Sequence, residues 1–194
     1  MREQSGDDEG FTLVDMVVAT TLMVVVMAMF TATIVRLFGT YNRVDARSTA
    51  QQSINIAMQR LDRELRYAKG ISTPYLVNNN QYIDFLTIQH AGASTIVQQC
   101  VQVRVVGGVL AQRTWTFQAS PLNQTAWRPL ATGLTSATPF TYVAPTANLG
   151  YQQLTVALAA GSGSGADSNT TTFVALNSDR TTGQDYCSAA RTLP

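Results

Sequence analysis

The run from Met16 to Val35 constrains the fold more than any other part of the sequence. It holds 20 residues without a charge, a Pro or a Gly, and apart from four Thr all of them are apolar. A helix of this length, at about 1.5 Å per residue, crosses a hydrocarbon core of about 30 Å. Although 11 of the 20 residues are β-branched, the run is far longer than an ordinary strand. The sequence therefore predicts a membrane-spanning helix.

The residues in front of the run decide which class of membrane segment it is. A secretory signal peptide has a basic start, an apolar core of roughly 7–15 residues and a small-residue cleavage site. Residues 1–9 are acidic on balance, and the apolar run is longer than such a core. A plain single-pass anchor is a second alternative.

A short motif, GFTLVD at positions 10–15, abuts the apolar run. It resembles the N-terminus of the type IV prepilins and pseudopilins. This resemblance implies cleavage between Gly10 and Phe11 and methylation of the new N-terminal Phe11. It also implies an assembly role for the acid at the fifth mature position, where this chain has Asp15 and the family has Glu.

Asp15 has two interpretations, which are compatible. Thr12 and Asp15 have the spacing of a capping box directly before an apolar run, so the pair could simply cap the helix. By the family resemblance, the carboxylate would neutralise the free N-terminal amine of a neighbouring subunit, since an acid at a membrane boundary tends to have a partner. We expect Thr12 and Asp15 to act in assembly, with a carboxylate one methylene shorter than that of Glu.

The distribution of charge and the family resemblance predict opposite orientations of the chain in the membrane. Between Arg36 and Lys69 seven bases face three acids, whereas after Gly70 there are five Arg and four acids. Bases after the apolar run favour a cytoplasmic body, but the family places the leader in the cytoplasm and the body outside. We follow the family, because the part after Gly70 is rich in Thr and has no Lys.

The two cysteines, Cys100 and Cys187, predict one disulfide if the body is exported. Two unpaired thiols are the alternative. The sequence has no Cys/His cluster for a metal, and His90 is its only histidine. We therefore expect no catalytic residues, no metal and no cofactor, and the chain is not expected to be an enzyme.

Helical periodicity continues after the apolar run. Apolar residues recur at three- and four-residue steps up to position 68, which predicts an amphipathic helix ending at Lys69 with Gly70 as its C-terminal cap. Opposite charges four residues apart are expected to pair on its outer face. The apolar positions are Ile54, Met58, Leu61, Leu65 and Ala68, and the pairs are Arg60–Glu64 and Asp62–Arg66.

From residue 71 onward the pattern favours strands. Gly107-Gly108 between Thr95–Val106 and Val109–Phe117 predicts a β-hairpin. Alternation of Val with Gln102 and Arg104 predicts a half-exposed strand. The other predicted strands are Tyr82–Ile88, Phe140–Val143, Leu154–Leu158 and Thr172–Leu176.

The predicted fold class is α+β and type IV pilin-like. A long N-terminal α-helix with a membrane-spanning first half packs on an antiparallel β-sheet domain. The predicted segments are a leader (1–10), a transmembrane or filament-core helix (11–35), its amphipathic continuation (36–70) and an extracytoplasmic β-rich domain (71–194). The amphipathic segment and the later strands resemble the larger minor pilins of the GspJ and PilW type.

The resemblance implies a structural minor pilin or pseudopilin in a type IV pilus or a type II secretion-like pseudopilus. Its expected location is the bacterial inner membrane, then the cell surface. Expected partners are other pilin or pseudopilin subunits, the prepilin peptidase/methyltransferase, the membrane assembly platform and the lipid bilayer. A surface adhesin or a DNA-uptake pilin is the alternative. We do not expect nucleic-acid binding, because the basic helix face lacks interleaved aromatics and is typical of a solvated face. That face carries Arg43, Arg47, Arg60, Arg63 and Arg66.

Overall fold

The computed structural model describes residues 12–90, 96–146, 149–160, 167–178 and 185–191. The chain divides into two compact units, Met1–Ala46 and Arg47–Pro194. Helix α1 spans Leu13–Arg66 and contributes residues to both units. With antiparallel sheets in the second unit, the α+β class is confirmed.

The second unit contains two antiparallel sheets among its described residues. One has the strand order β1-β3-β4-β5-β6, with β2 also paired to β3, and the other has the order β7-β8-β9. The tail adds one 3-10 turn, Ser188–Ala190. The strands are β1 (Ala68–Ile71), β2 (Tyr75–Val77), β3 (Asn80–His90), β4 (Ile96–Val106), β5 (Val109–Thr116), β6 (Arg128–Ala131), β7 (Phe140–Val143), β8 (Gln152–Ala160) and β9 (Asp167–Ala175).

The hairpin predicted at Gly107-Gly108 joins β4 to β5. Both glycines have positive φ, 57° and 75°, as the tight turn of a two-residue hairpin requires. A Cβ on Gly108 would also lie 2.8 Å from the carbonyl oxygen of Leu134. Glycine at this position therefore serves both the turn and the close approach of a neighbouring backbone.

The core of the second unit lies between the end of α1 and the inner faces of both sheets. The helix buries one stripe at the expected three- and four-residue spacing, which confirms the amphipathic prediction between Ile54 and Leu65. Opposite the stripe lie alternate residues of the strands, as the two-residue period of a sheet dictates. The helix residues are Ile54, Ala57, Met58, Leu61 and Leu65, facing Ile83, Phe85, Val101, Val103, Leu110, Leu154, Val156 and Phe173 among others.

Glutamine side chains connect the two sheets. The amide of Gln81 on β3 donates to the carbonyl of Phe140 (2.9 Å) and accepts from its N–H (2.8 Å), as a strand backbone would. Gln152 on β8 is buried and accepts from the N–H of Ile71 on β1 at 2.7 Å. These amides satisfy backbone groups that would otherwise lose hydrogen bonds where the sheets meet.

The predicted C-terminal cap at Gly70 is wrong. Helix α1 ends at Arg66, and Gly70 and Lys69 belong to β1. A Cβ on Gly70 would lie 2.5 Å from the ring of Tyr186, so this glycine makes room for an aromatic ring from the tail. The predicted ion pairs are present, with Nε of Arg60 3.2 Å from Glu64 and a guanidinium nitrogen of Arg66 2.8 Å from Asp62.

The half-exposed outer face predicted for β4 is also wrong. Gln102 is fully buried and Arg104 is half-buried. The amide nitrogen of Gln102 donates to the hydroxyl of Tyr75 at 2.6 Å, and its oxygen accepts from Nε of Arg113 at 2.6 Å. The alternation identified the face on which these side chains lie, but other parts of the chain cover that face.

Residues 47–194 are expected to fold as a soluble monomer without the preceding segment. They contain the buried stripe of α1, every described strand and both cysteines. Circular dichroism should show mixed helix and sheet, and size-exclusion chromatography should give a monomer of about 16 kDa, the share of the chain's 21.0 kDa that these residues represent. A disordered spectrum would contradict the division at residue 47.

Candidate functional site

Thr12 and Asp15 form a reciprocal capping box at the start of α1. The hydroxyl of Thr12 donates to Oδ2 of Asp15 at 2.7 Å, and the N–H of Thr12 donates to the same oxygen at 3.2 Å. The N–H of Asp15 lies 3.3 Å from the hydroxyl oxygen of Thr12. Each residue therefore satisfies a backbone donor of the other, which fixes the first turn of the helix.

The second carboxylate oxygen of Asp15 stays available. Asp15 is exposed, and Oδ1 accepts no hydrogen bond within the described part of the chain. The capping interpretation is thus realised, and the geometry leaves one oxygen for a further cation. The predicted cleavage and methylation residues, Gly10 and Phe11, lie outside the described residues.

The threonines of the apolar run satisfy their own hydroxyls. Each hydroxyl donates to a backbone carbonyl four residues earlier on α1, at 2.8–2.9 Å. A hydroxyl in hydrocarbon without a partner would be costly, and these bonds remove that cost within one helix. The four residues are Thr20, Thr21, Thr31 and Thr33.

The apolar side chains of α1 from Leu13 to Val44 are exposed, except that Ile34 is half-buried. An 18-residue window of α1 has a mean hydropathy of 2.3 and no buried residue. By length and composition this helix could cross a membrane, and it is the one such helix in the part of the chain that the structure describes. Its most exposed large side chains include Leu13 (80%), Val24 (67%), Met29 (67%) and Phe38 (65%).

A disulfide fixes the tail of the chain to the outer face of the six-stranded sheet. Cys100 on β4 and Cys187 are bonded, with 5.7 Å between their Cα atoms. Around the bond lies a second apolar cluster with Leu86, Trp115 and Ala190. The sequence predicted this pairing for an exported body.

An ion pair holds the same tail beside the disulfide. Nε of Arg191 lies 2.9 Å from Oδ2 of Asp84, whose side chain is fully buried, and another guanidinium nitrogen lies 2.7 Å from the half-exposed Asp185. The guanidinium of Arg113 donates to the carbonyl of Ala190 at 3.2 Å. The tail therefore closes the outer face by covalent, ionic and hydrogen-bonded contacts together.

Burial dominates the electrostatics of this face. It raises the pKa of Asp84, against hydrogen bonds from Arg191, Gln102 and Tyr75 that favour the carboxylate. The pKa of Tyr75 is raised by burial and by the charge of Asp84. Burial, and next the charge of Arg104, lower the pKa of Arg113. Charges on this face are thus held by their partners against a cost of desolvation.

Sequence reasoning did not find this polar outer face. The hairpin register could have revealed it from the sequence, because a two-residue turn at Gly107-Gly108 places Gln102 opposite Arg113. Among the described residues no group of three or more His, Cys, Asp or Glu could hold a metal ion. His90 is the last residue of β3.

The basic face of α1 is partly neutralised. Arg60 pairs with Glu64, and Arg66 pairs with Asp62, which raises the pKa of Arg66 through a hydrogen bond and the opposite charge. Paired arginines of this kind leave less charge for the phosphates of nucleic acid.

Comparisons of the chain with protein-family models, with curated proteins and with solved structures found no match.

Proposed function

We propose that this chain is a non-enzymatic, single-pass membrane protein of the type IV pilin kind: a minor pilin or pseudopilin subunit that assembles into a filament. The observation that carries the proposal is an uncovered apolar helix that begins with the Thr12–Asp15 box and ends as the core helix of a β-rich body. Its partners are the bilayer, then other subunits of the same class, after action by a prepilin peptidase/methyltransferase and an assembly platform.

The exposed apolar helix supports the proposal that lipid or other helices surround it. Soluble monomers rarely expose a large contiguous apolar surface, because contact between apolar surface and water is unfavourable. Here about 30 residues of helix expose nearly every large apolar side chain. A lipid bilayer covers such a surface before assembly, and the helices of neighbouring subunits cover it in a filament.

The body supports export. A disulfide between Cys100 and Cys187 persists in an oxidising compartment and is rare in the cytosol. The body would then lie outside the inner membrane, with the leader in the cytoplasm, and would reach the cell surface in the filament. This orientation is opposite to the one that the positive charges after the apolar run favour.

Processing is the experiment that tests the proposal. Wild-type protein is expected to lose residues 1–10 and to carry N-methyl-Phe11, measured as intact mass in cells with and without a prepilin peptidase. Gly10→Val should abolish the cleavage, because a branched side chain would obstruct the peptidase at the scissile bond. Gly6→Val, a matched change within the same leader, should be processed normally. Intact Met1 in wild-type protein would instead support a plain anchor.

The Asp15 carboxylate is expected to matter for assembly more than for the helix. If Oδ1 neutralises the N-terminal amine of a neighbour in low dielectric, Asp15→Asn should reduce incorporation into filaments strongly, since an unpaired buried charge costs roughly 3–5 kcal/mol. Asp15→Glu should assemble at least as well as wild type, because it restores the longer side chain of the family. The measurement is the ratio of sheared surface protein to membrane-retained protein.

The control variant is Asp45→Asn, which removes the same charge from an exposed position on the same helix. It should assemble like wild type. As a cap alone, Asp15 contributes about 1 kcal/mol, and Asn at that position should cost little. Equal surface-to-membrane ratios for Asp15→Asn and Asp45→Asn would therefore exclude the assembly role and leave the capping role.

A further inference from the structure

A cavity of about 210 Å³ opens on the outer face of the six-stranded sheet, opposite to the face that packs on α1. Its walls combine three guanidinium groups with three aromatic rings. The principal residues are Arg104, Arg113, Arg191, Tyr75, Tyr82 and Trp127. None of them has a part in the membrane helix or in the proposed assembly site.

The rings hold the guanidinium groups in place by stacking. The guanidinium carbon of Arg104 lies 3.8 Å from the ring centre of Trp127, and that of Arg113 lies 4.5 Å from it. The guanidinium of Arg191 lies 4.4 Å from the ring centre of Tyr75. A stacked guanidinium is fixed in its plane, and its N–H groups remain directed toward acceptors in that plane.

Two donors in these walls have no acceptor. Nε of Arg104 and the indole nitrogen of Trp127 are buried without a hydrogen bond among the described residues. The NH1 nitrogen of Arg104 is used, since it donates to the hydroxyl of Tyr82 at 3.2 Å. Buried donors are nearly always paired, so two unpaired donors beside one cavity point to an acceptor that belongs there.

The charge around the cavity is positive. Both nearby acids, Asp84 and Asp185, bind Arg191. Arg104 forms no ion pair with any carboxylate in the described part of the chain, and its charge contributes to lowering the pKa of Arg113 after burial. An anion would therefore relieve repulsion between two neighbouring cations.

We propose that this cavity is a binding site for a small oxyanion, a carboxylate or a phosphate group, held chiefly by Arg104 and Trp127. Guanidinium groups match both anions through paired N–H donors. The cavity volume of about 210 Å³ leaves room for an oxyanion and a few attached atoms. The oxyanion comes either from a free small molecule or from an acidic side chain of a protein.

The test follows the indole N–H resonances of the full-length, ¹⁵N-labelled protein in non-ionic detergent micelles. Inorganic phosphate, acetate and a tri-glutamate peptide are titrated at constant ionic strength. The Trp127 resonance, assigned with Trp127→Phe, should shift and saturate. Trp115 is the internal reference, because it is buried in the apolar cluster beside the disulfide. Tenfold tighter binding of the peptide than of acetate would identify a protein side chain as the source, and equal binding would identify a free anion.

Arg104→Gln should weaken binding at least tenfold. Arg128→Gln, which removes the same charge from an exposed position of the same sheet, should change it less than twofold. Arg104→Lys keeps the charge but loses Nε, and should weaken binding several-fold. If Arg104→Gln loses its dispersed NMR spectrum and so its fold, the result for Arg104→Lys decides whether Arg104 binds the anion. Shifts that do not saturate, or that are equal in the Arg104 and Arg128 variants, would overturn the proposal.

Discussion

Replacing Cys100 and Cys187 together with Ala is expected to lower the free energy of unfolding of residues 47–194 by about 4 kcal/mol. The disulfide joins residues 87 positions apart, and closing a loop of that length removes much of the conformational entropy of the unfolded chain. Both cysteines are buried, so Ala avoids placing an unpaired hydroxyl in the apolar cluster. Urea unfolding monitored by circular dichroism measures the change.

Reduction of the wild-type protein provides the matched control. Wild type in reductant should lose a similar amount of stability, whereas the double Ala variant should not respond to reductant. A loss below about 1 kcal/mol in both cases would contradict the chain-entropy argument for this bond. It would show that the other contacts of the tail already fix it to the sheet.

Arg191→Met is expected to destabilise the same unit by about 3 kcal/mol at neutral pH. Methionine keeps much of the bulk of the side chain but leaves the fully buried carboxylate of Asp84 without its cation. The hydroxyl of Tyr75, 3.0 Å from Oδ1 of Asp84, still stabilises the carboxylate in part. The expected cost is therefore at the lower end of the range for breaking a buried ion pair.

The loss should depend on pH with a definite sign. Burial raises the pKa of Asp84 in the folded protein, so its contribution to stability is fully present below the unfolded pKa and is lost as pH rises through the folded pKa. Without Arg191 that pKa rises further. The deficit of the variant should thus be small near pH 4, about the pKa of an unfolded Asp, and grow toward neutrality.

Two controls separate burial from charge. Asp185→Asn removes the other partner of Arg191, whose side chain is 49% exposed, and should cost less than about 1 kcal/mol. Arg128→Met removes an exposed arginine and should be nearly neutral. A deficit of Arg191→Met that stays constant between acid and neutral pH would mean that lost packing, rather than the unpaired Asp84, causes the destabilisation.

Much of the fold could be predicted because its determinants are periodic. The stripe from Ile54 to Leu65 repeats at helical spacing, and the turn at Gly107-Gly108 sets the register of β4 and β5. The box of Thr12 and Asp15 involves residues three positions apart, so the sequence alone contains both partners. Local patterns of this kind report local structure reliably.

The errors concern residues whose neighbours are distant in sequence. The ring that would clash with a side chain at Gly70 belongs to Tyr186, and part of the cover over Gln102 comes from Tyr75. No window of sequence around position 70 or 102 contains these partners. The same reason hides the cavity, because Trp127 reaches Arg104 from a segment beyond the hairpin.

The disulfide to the tail is also the last link of the β-rich unit that can form during synthesis. A ribosome makes Cys100 long before Cys187, and Cys187 follows all the strands in the described part of the chain. Cys100 therefore has no cysteine partner within the chain until Cys187 has been made, and the bond forms only when the tail reaches β4. Alkylation of the Cys100 thiol at successive times during synthesis would therefore report when the last segment reaches β4.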